Sequence, residues 1–409
     1  MKSNYKLLGD YIQEVNIRNT ELKGLELLGI SIQKEFIPSI ANTIGTDMSK
    51  YKIVKKNQFA YGTVTSRNGD KISIALLQNH EEALISQAYI SFEVIDENKL
   101  LPEYLMMWFR RPEFDRYARY MSYGSAREVF SWEEMCNVKL PVPSIEKQRE
   151  IVKEYNTILN RIQINENMIE KLEYLCQSIY TQCFEEYNIY SIVDKNESCD
   201  IKLEYNKELE INIPNTWKVM KLNDLCDIKG GKRLPKGKEL NNMNGNPYIK
   251  VANMSNRKFI SLDNNFQFVS EDIQKSISRY IVSKNDIIIS IVGTIGLVNI
   301  VDYDLDGANL TENCAKLTNI SKVSPNYLYH YIKSPIGNKS IETKVVGGVQ
   351  GKLPLYNIAD ILVVVPDEHI VNEFDKYILK INKIIMNYTL QNIQLRNLKE
   401  ILLEKISIT

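Results

Sequence analysis

The sequence predicts an α+β protein. Two mixed α/β domains are separated by a long antiparallel helix pair, as an internal tandem repeat with pseudo-twofold symmetry. Three observations predict it. A constant offset of 223 residues brings identical residues into register over much of the chain. Short β-branched runs bounded by Gly, Asn and Pro precede two stretches that no Gly or Pro interrupts and whose apolar residues recur at spacings of four and three. Finally, 409 residues, 44% apolar and 25% charged, suffice for two or three domains with real cores and exclude wholesale disorder.

The repeat is carried by named pairs: Pro102 and Pro325, Tyr104 and Tyr327, Pro112 and Pro335, Gly124 and Gly347, Pro143 and Pro366, Ile158 and Ile381. Upstream the match continues with insertions, KIVKKNQF at 52–59 resembling YIVSKNDI at 280–287. Three coincident prolines within a shared apolar rhythm make accident a poor explanation.

Each repeat has two parts. Residues 1–143 and 213–366 carry the runs KISIAL, AYISFEV, DIIISIV, GLVNIV and DILVVVP, which read as short strands. Within them PEYLMMWF and PNYLYHYI start with proline, which the first turn of a helix tolerates. Residues 144–186 and 367–409 read as long helices, and 187–212 as the linker that lets the chain turn back.

The first helix has a seam at Ile151, Tyr155, Ile158, Ile162, Asn165, Ile169, Leu172, Cys176, Ile179 and Cys183. The second has Phe374, Ile378, Ile381, Ile385, Tyr388, Asn392, Leu395, Lys399, Leu402 and Ile406, where Lys399 breaks the register and Leu398 is expected to fill in. Asn165 and Asn392 either set the register or lie where the seam frays. Each seam needs a partner. The economical one is the other helix, although separate packing of each helix on its own domain stays open at this stage.

The 51 basic and 51 acidic residues cancel, but not locally. Residues 144–212 carry 8 basic against 14 acidic, and 213–366 carry 19 against 13. Six cysteines without a C-x-x-C pair and three scattered histidines exclude a recognisable zinc site, so all six cysteines are expected to be reduced packing residues. No apolar run approaches a membrane span and MKSNYKLLGDY lacks a signal-peptide core, so the expectation is a cytoplasmic chain.

Specific segments carry a family likeness. TSRNGDKISIAL at 65–76, LPEYLMMWFRRPEFDRYA at 101–118, GSAREVFSWEEMCNVKLPVPSIEKQREIV at 124–152, IKGGKRLPKG at 228–237 and ANLTENCAKL at 308–317 make the chain resemble the specificity subunit of type I restriction–modification systems. The second junction, VVVPDEHIVNEF, departs by lacking the Gln-Arg pair of the first.

The resemblance implies that 1–143 and 213–366 are target recognition domains, each reading one half of a bipartite, asymmetric double-stranded DNA site. It implies that the paired helices act as a spacer and dock two methyltransferase subunits. Those partners would carry S-adenosylmethionine and methylate adenine N6, with restriction–translocase subunits joining where the system also cuts. The chain itself would be non-catalytic and bind no cofactor, metal or membrane. A recognition subunit of another restriction–methylation class, or a coiled-coil scaffold without DNA contact, stays open here.

Candidate DNA-contacting residues follow from residue chemistry. The loop Lys229–Lys238 holds five cations in ten residues beside three glycines, and Lys232, Arg233, Lys236 and Lys238 are its candidates. It lacks the G-x-x-x-x-G-K-[ST] pattern of a nucleotide-binding loop. In repeat one, Thr65, Ser66, Arg67 and Asn68 form a polar turn suited to base edges or phosphates; Asn68-Gly69 is equally a plain β-turn. Arg110, Arg111 and Arg127, with Arg116, Arg119 and nearby tyrosines, could line a backbone groove or form a solvated face. His330 lies on an apolar helix and reads as packed.

Overall fold

The computed structural model describes residues 5–41, 45–66, 68–124, 128–187, 202–242, 245–263, 266–348 and 351–407. The chain forms two compact units, residues 1–163 with 394–409, and residues 164–393.

In the first unit a two-stranded ribbon, Tyr5–Leu7 with Lys139–Pro141, closes the domain. A four-stranded antiparallel sheet follows in the spatial order Ile12–Val15, Tyr89–Val94, Phe59–Gly62, Ile74–Leu76. Beside it lies a five-stranded sheet ordered Ile17–Arg18, Lys52–Lys55, Glu82–Ile85, Leu27–Ile30, Phe36–Pro38. The helices Pro102–Phe109, Pro112–Tyr120 and Trp132–Cys136 pack Leu105, Phe109 and Phe114 against Phe59 and Phe92. Phe59 and Phe92 stack with ring centres 4.8 Å apart.

The second unit repeats this plan. The ribbon is Lys218–Lys221 with Leu362–Val365, and the sheet runs Asp227–Gly230, Cys314–Thr318, Ile287–Ser290, Val298–Ile300. That is the same strand order as in the first unit. Helices Pro325–Lys333, Pro335–Lys344 and Leu355–Ala359 begin 223 residues after their counterparts.

The sequence identities now have physical reasons. Tyr104 and Tyr327 each donate a phenolic hydrogen bond to the closing strand, to the Pro141 carbonyl at 3.2 Å and the Val364 carbonyl at 2.6 Å. Gly124 and Gly347 adopt φ of 144° and 102°, which side chains resist. The shared Lys-Asn step is a left-handed turn, at Asn57 and Asn285, capped when the following side chain (Gln58 or Asp286) accepts a backbone N–H.

The departure at the second junction is also explained. Gln148 is fully buried, accepts from Leu101 N–H and donates to the Lys99 and Pro143 carbonyls, stapling the helix start to the domain. The matching residue is Val371, which is buried among apolar neighbours and needs no such partners.

The long helices span Ile145–Phe184 and Glu368–Lys405, about 60 Å each at 1.5 Å per residue. Both lie within the stretches 144–186 and 367–409 read as helical from the sequence. Every seam position is buried or half-buried. In the second unit Asn165 donates to Asn392 Oδ1 at 2.8 Å, with both side chains buried. Tyr180 and Phe184 meet Phe374 in the same unit, so residue numbers rise along one helix as they fall along the other. In the first unit Leu403 and Ile406 join the core of Ile151 and Tyr155.

Leu398 does not fill the seam; it is half exposed, and Leu403, five residues on, takes the buried position. Leu203–Asn206 and Ile211–Pro214, at the end of the expected linker and just beyond it, form a hairpin. Asn206 Oδ1 accepts from Glu208 and Leu209 N–H to make its turn. Cys176, Cys183, Cys226 and Cys314 are buried free thiols and Cys136 is half-buried; Cys199 lies outside the described residues.

Candidate nucleic-acid interface

The basic loop of the second unit grows directly from a sheet edge. After Asp227–Gly230 the chain keeps close to the crossing segment 310–314, with Gly231 N–H donating to the Cys314 carbonyl at 2.9 Å and Lys232 N–H to Leu310 at 2.8 Å. The approach is so close that a Cβ on Gly231 would lie 1.9 Å from the Thr311 carbonyl oxygen. Tyr248 fixes the next carbonyl, donating its hydroxyl to Lys232 O at 2.7 Å. The loop therefore has a rigid root.

Its cations then separate by environment. Arg233 donates from Nε to Glu312 Oε1 at 2.6 Å, while its side chain stays 81% exposed. Lys232 reaches over the Tyr280 ring at 5.8 Å. Lys236 and Lys238 are exposed around a turn closed by Lys238 N–H to the Pro235 carbonyl, and meet no carboxylate among the described residues. Lys229 pairs with Asp227 at 3.0 Å. Burial pushes the Glu312 carboxyl up, but hydrogen bonds from Arg233, its own backbone N–H and Thr311 outweigh it and hold it below the usual range. It is a carboxylate at neutral pH. Sequence reasoning missed Glu312, which lies 79 residues from Arg233 and becomes its neighbour only through the sheet.

In the first unit the polar turn is real but partly turned inward. Thr65 is buried, its N–H and hydroxyl both directed at the Glu128 carbonyl. Asn68 donates to the Val64 carbonyl, and Gly69 takes φ of 63°. The β-turn reading is thus correct for Asn68-Gly69. Ser66 is exposed at the crest, and Arg67 lies outside the described residues. Arg119 ties this turn to Glu128, donating to the Gly69 carbonyl and pairing with the Glu128 carboxylate at 3.5 Å. Tyr123 and Val129 form an antiparallel bridge nearby, and Arg127 lies outside the described residues.

Two of the candidate arginines are held within the unit. Arg111 is buried, stacked 4.3 Å over Trp108 and paired with Glu113. Arg110 is half-buried and donates to the Tyr155 hydroxyl at 3.0 Å, docking the domain on the first long helix. Short helices with proline at the first turn wind these side chains toward the core and helix, which a linear charge run does not reveal. Arg116 pairs with Glu113 at 2.9 Å on the outer face.

Sequence reasoning also missed a buried polar cluster in the second unit. Lys258 is 1% exposed; its ammonium lies 3.4 Å from His330 Nε2 and 5.3 Å from the Tyr329 ring centre. His330 Nδ1 faces Gln177 Oε1 at 2.9 Å, and Lys258 N–H donates to Glu173 at 2.7 Å. Burial pushes the Lys258 ammonium down to about 8 and, with Lys258 beside it, keeps His330 neutral. The histidine is packed, as its apolar helix suggests. Among the described residues no group of three or more His, Cys, Asp or Glu could hold a metal, and no helix is long and apolar enough to cross a membrane.

Comparison with known proteins gives one consistent answer. Residues 30–174 and 214–403 match the family model described as the type I restriction modification DNA specificity domain. The specificity subunit of the type I restriction enzyme MjaIX of Methanocaldococcus jannaschii is 23% identical over 321 residues, covering 76% of this chain and 70% of that protein. The HindI specificity subunit of Haemophilus influenzae is 19% identical over 406 residues, covering 87% and 86%. A crystal structure of the type I restriction–modification S subunit from M. genitalium shares the fold, with a TM-score of 0.52 at 13% identity over 98% of this chain and 95% of that one.

Proposed function

The chain belongs to the type I restriction modification DNA specificity family, and on that premise we propose that it reads a bipartite, asymmetric site on double-stranded DNA for a type I restriction–modification complex. It is the recognition component of that complex and not its catalyst. Residues 1–143 and 213–366 are the two target recognition domains. Residues 144–186 and 367–409 are spacer helices, paired antiparallel with pseudo-twofold symmetry and joined through 187–212. The helix pair docks two methyltransferase subunits, which bring S-adenosylmethionine to adenine N6, and restriction subunits join where the system cuts. The complex works in the cytoplasm, where the DNA is.

One observation carries this reading. The same four-stranded sheet occurs twice in the same strand order, while the segments leaving its first strand differ, a new strand in repeat one and the basic loop in repeat two. Repeated scaffolds with unlike loops suit two different half-sites, and stiff helices hold half-sites at a fixed spacing where a flexible linker would not. In repeat two the DNA-facing candidates are Lys232, Arg233, Lys236 and Lys238. In repeat one they are Ser66, Arg67, Asn68 and Arg127; the environments of Thr65, Arg110 and Arg111 suit support of that surface.

The test is long-read mapping of N6-methyladenine in cells that express this chain with its methyltransferase. The expected result is one split motif, two unlike half-sites around a fixed gap. A palindromic motif would remove the two-reader assignment. A soluble complex that methylates nothing and shows no salt-dependent DNA binding would favour a scaffold.

A further inference from the structure

Arg233 differs from the other cations of its loop in being both held and exposed. Its Nε is taken by Glu312 at 2.6 Å, and Glu312 is itself steadied by the Thr311 hydroxyl at 3.1 Å. Neither terminal amino group of Arg233 meets a partner among the described residues. A guanidinium gripped through Nε alone presents those two groups as an open, planar edge. That edge matches the O6 and N7 acceptors of guanine in the major groove.

Charge bookkeeping points the same way. Arg233 and Glu312 together are neutral, so the pair gains little from a phosphate, and a carboxylate beside the backbone would repel it. An exposed pair of this kind also contributes little to folding. Lys236 and Lys238, exposed and without a carboxylate partner among the described residues, suit phosphates instead. The root is immobile because Gly231, Lys232 and Tyr248 lock the backbone just before Arg233. Pre-orientation by a neighbouring acceptor reduces the rotamer freedom lost on binding.

We propose that Arg233 reads a guanine in the half-site served by repeat two, and that Glu312 is the positioning residue that aims it. The lysines at 232, 236 and 238 then supply affinity without base choice. This rests on the reading that repeat two contacts DNA.

The experiment uses the full chain assembled with its methyltransferase subunits, with motif mapping and binding to duplexes across a salt series. Arg233→Lys keeps the charge but not the planar edge. It should relax preference at a single guanine by about 10- to 100-fold and leave the salt slope unchanged. Glu312→Gln should relax preference at that same position while overall affinity holds or rises, because a negative charge is lost. Lys236→Gln should weaken binding to all sequences alike and lower the salt slope by about one.

A melting scan of each variant identifies misfolding, and a motif shift confined to one base pair is not what misfolding produces. Unchanged base preference in Glu312→Gln, or uniform weakening in Arg233→Lys, would overturn the proposal. So would a half-site without guanine at the affected position. No split motif in the wild type would instead overturn the underlying reading, and the guanine assignment with it.

Discussion

The two repeats use one sheet and part company at its edge. In repeat two, Gly231 lets the chain hug the 310–314 crossing and delivers Arg233 to Glu312. By strand register the same levels in repeat one are Ile17, Asn19 and Gln87. There Ile17 and Arg18 pair with Ile53 and Lys52 as a new strand, and Asn19 is buried in a turn where it accepts from Lys23 N–H. Gln87 carries no charge to aim an arginine. The lesson is that the scaffold is shared because its packing is shared, whereas the edge is free to diverge. A second contrast lies deeper. At the helix position where repeat one buries Met107, repeat two buries His330 beside Lys258.

The comparison can be broken most forcefully at Gly231. An added methyl there would collide with the Thr311 and Leu310 carbonyl oxygens, at 1.9 and 2.5 Å, and backbone cannot move aside cheaply. Gly231→Ala should cost about 3 kcal/mol in the second unit and erase the repeat-two half-site. Gly237→Ala, with open space but φ of 79°, should cost about 1 kcal/mol. Chemical denaturation and motif mapping check both.

The helix seam offers a sharper probe. Counted by the repeat offset, Asn165 corresponds to Tyr388 and Asn392 to Ile169, so the repeats contribute asparagines one layer apart, and these meet. Asn165→Leu alone should destabilise by about 2 kcal/mol, because Asn392 loses its buried donor. Adding Asn392→Leu should restore most of that loss while weakening the preference for one register. A double-mutant cycle measures it.

The smallest effect concerns the Lys258–His330 cluster. Lys258 sits near 8 in the folded chain against 10.5 when free, so between those values the unfolded chain binds more protons. Stability contributed here therefore rises with pH across that window and is missing below about 8. Lys258→Met with His330→Met, the latter restoring the repeat-one residue at that position, should stabilise the second unit by about 1–2 kcal/mol at pH 7 and flatten that rise. Melting at pH 7 and at pH 10 tests it.

The sequence by itself determined the repeat, the strands, the proline-started helices and both seams. These depend on local periodicity and on residues such as Gly124 and Gly347 whose backbone demands are intrinsic. It also singled out the basic loop, because five cations and three glycines sit within ten residues. Only the tertiary structure decided which cations face outward. Arg111 stacks on Trp108 and Arg110 docks on Tyr155 because the turns of two short helices point them inward. Glu312 meets Arg233, and Gln177 meets His330, across 79 and 153 residues. Burial and partnership at that range follow from how sheets and helices pack, and a one-dimensional pattern carries no distance between such residues.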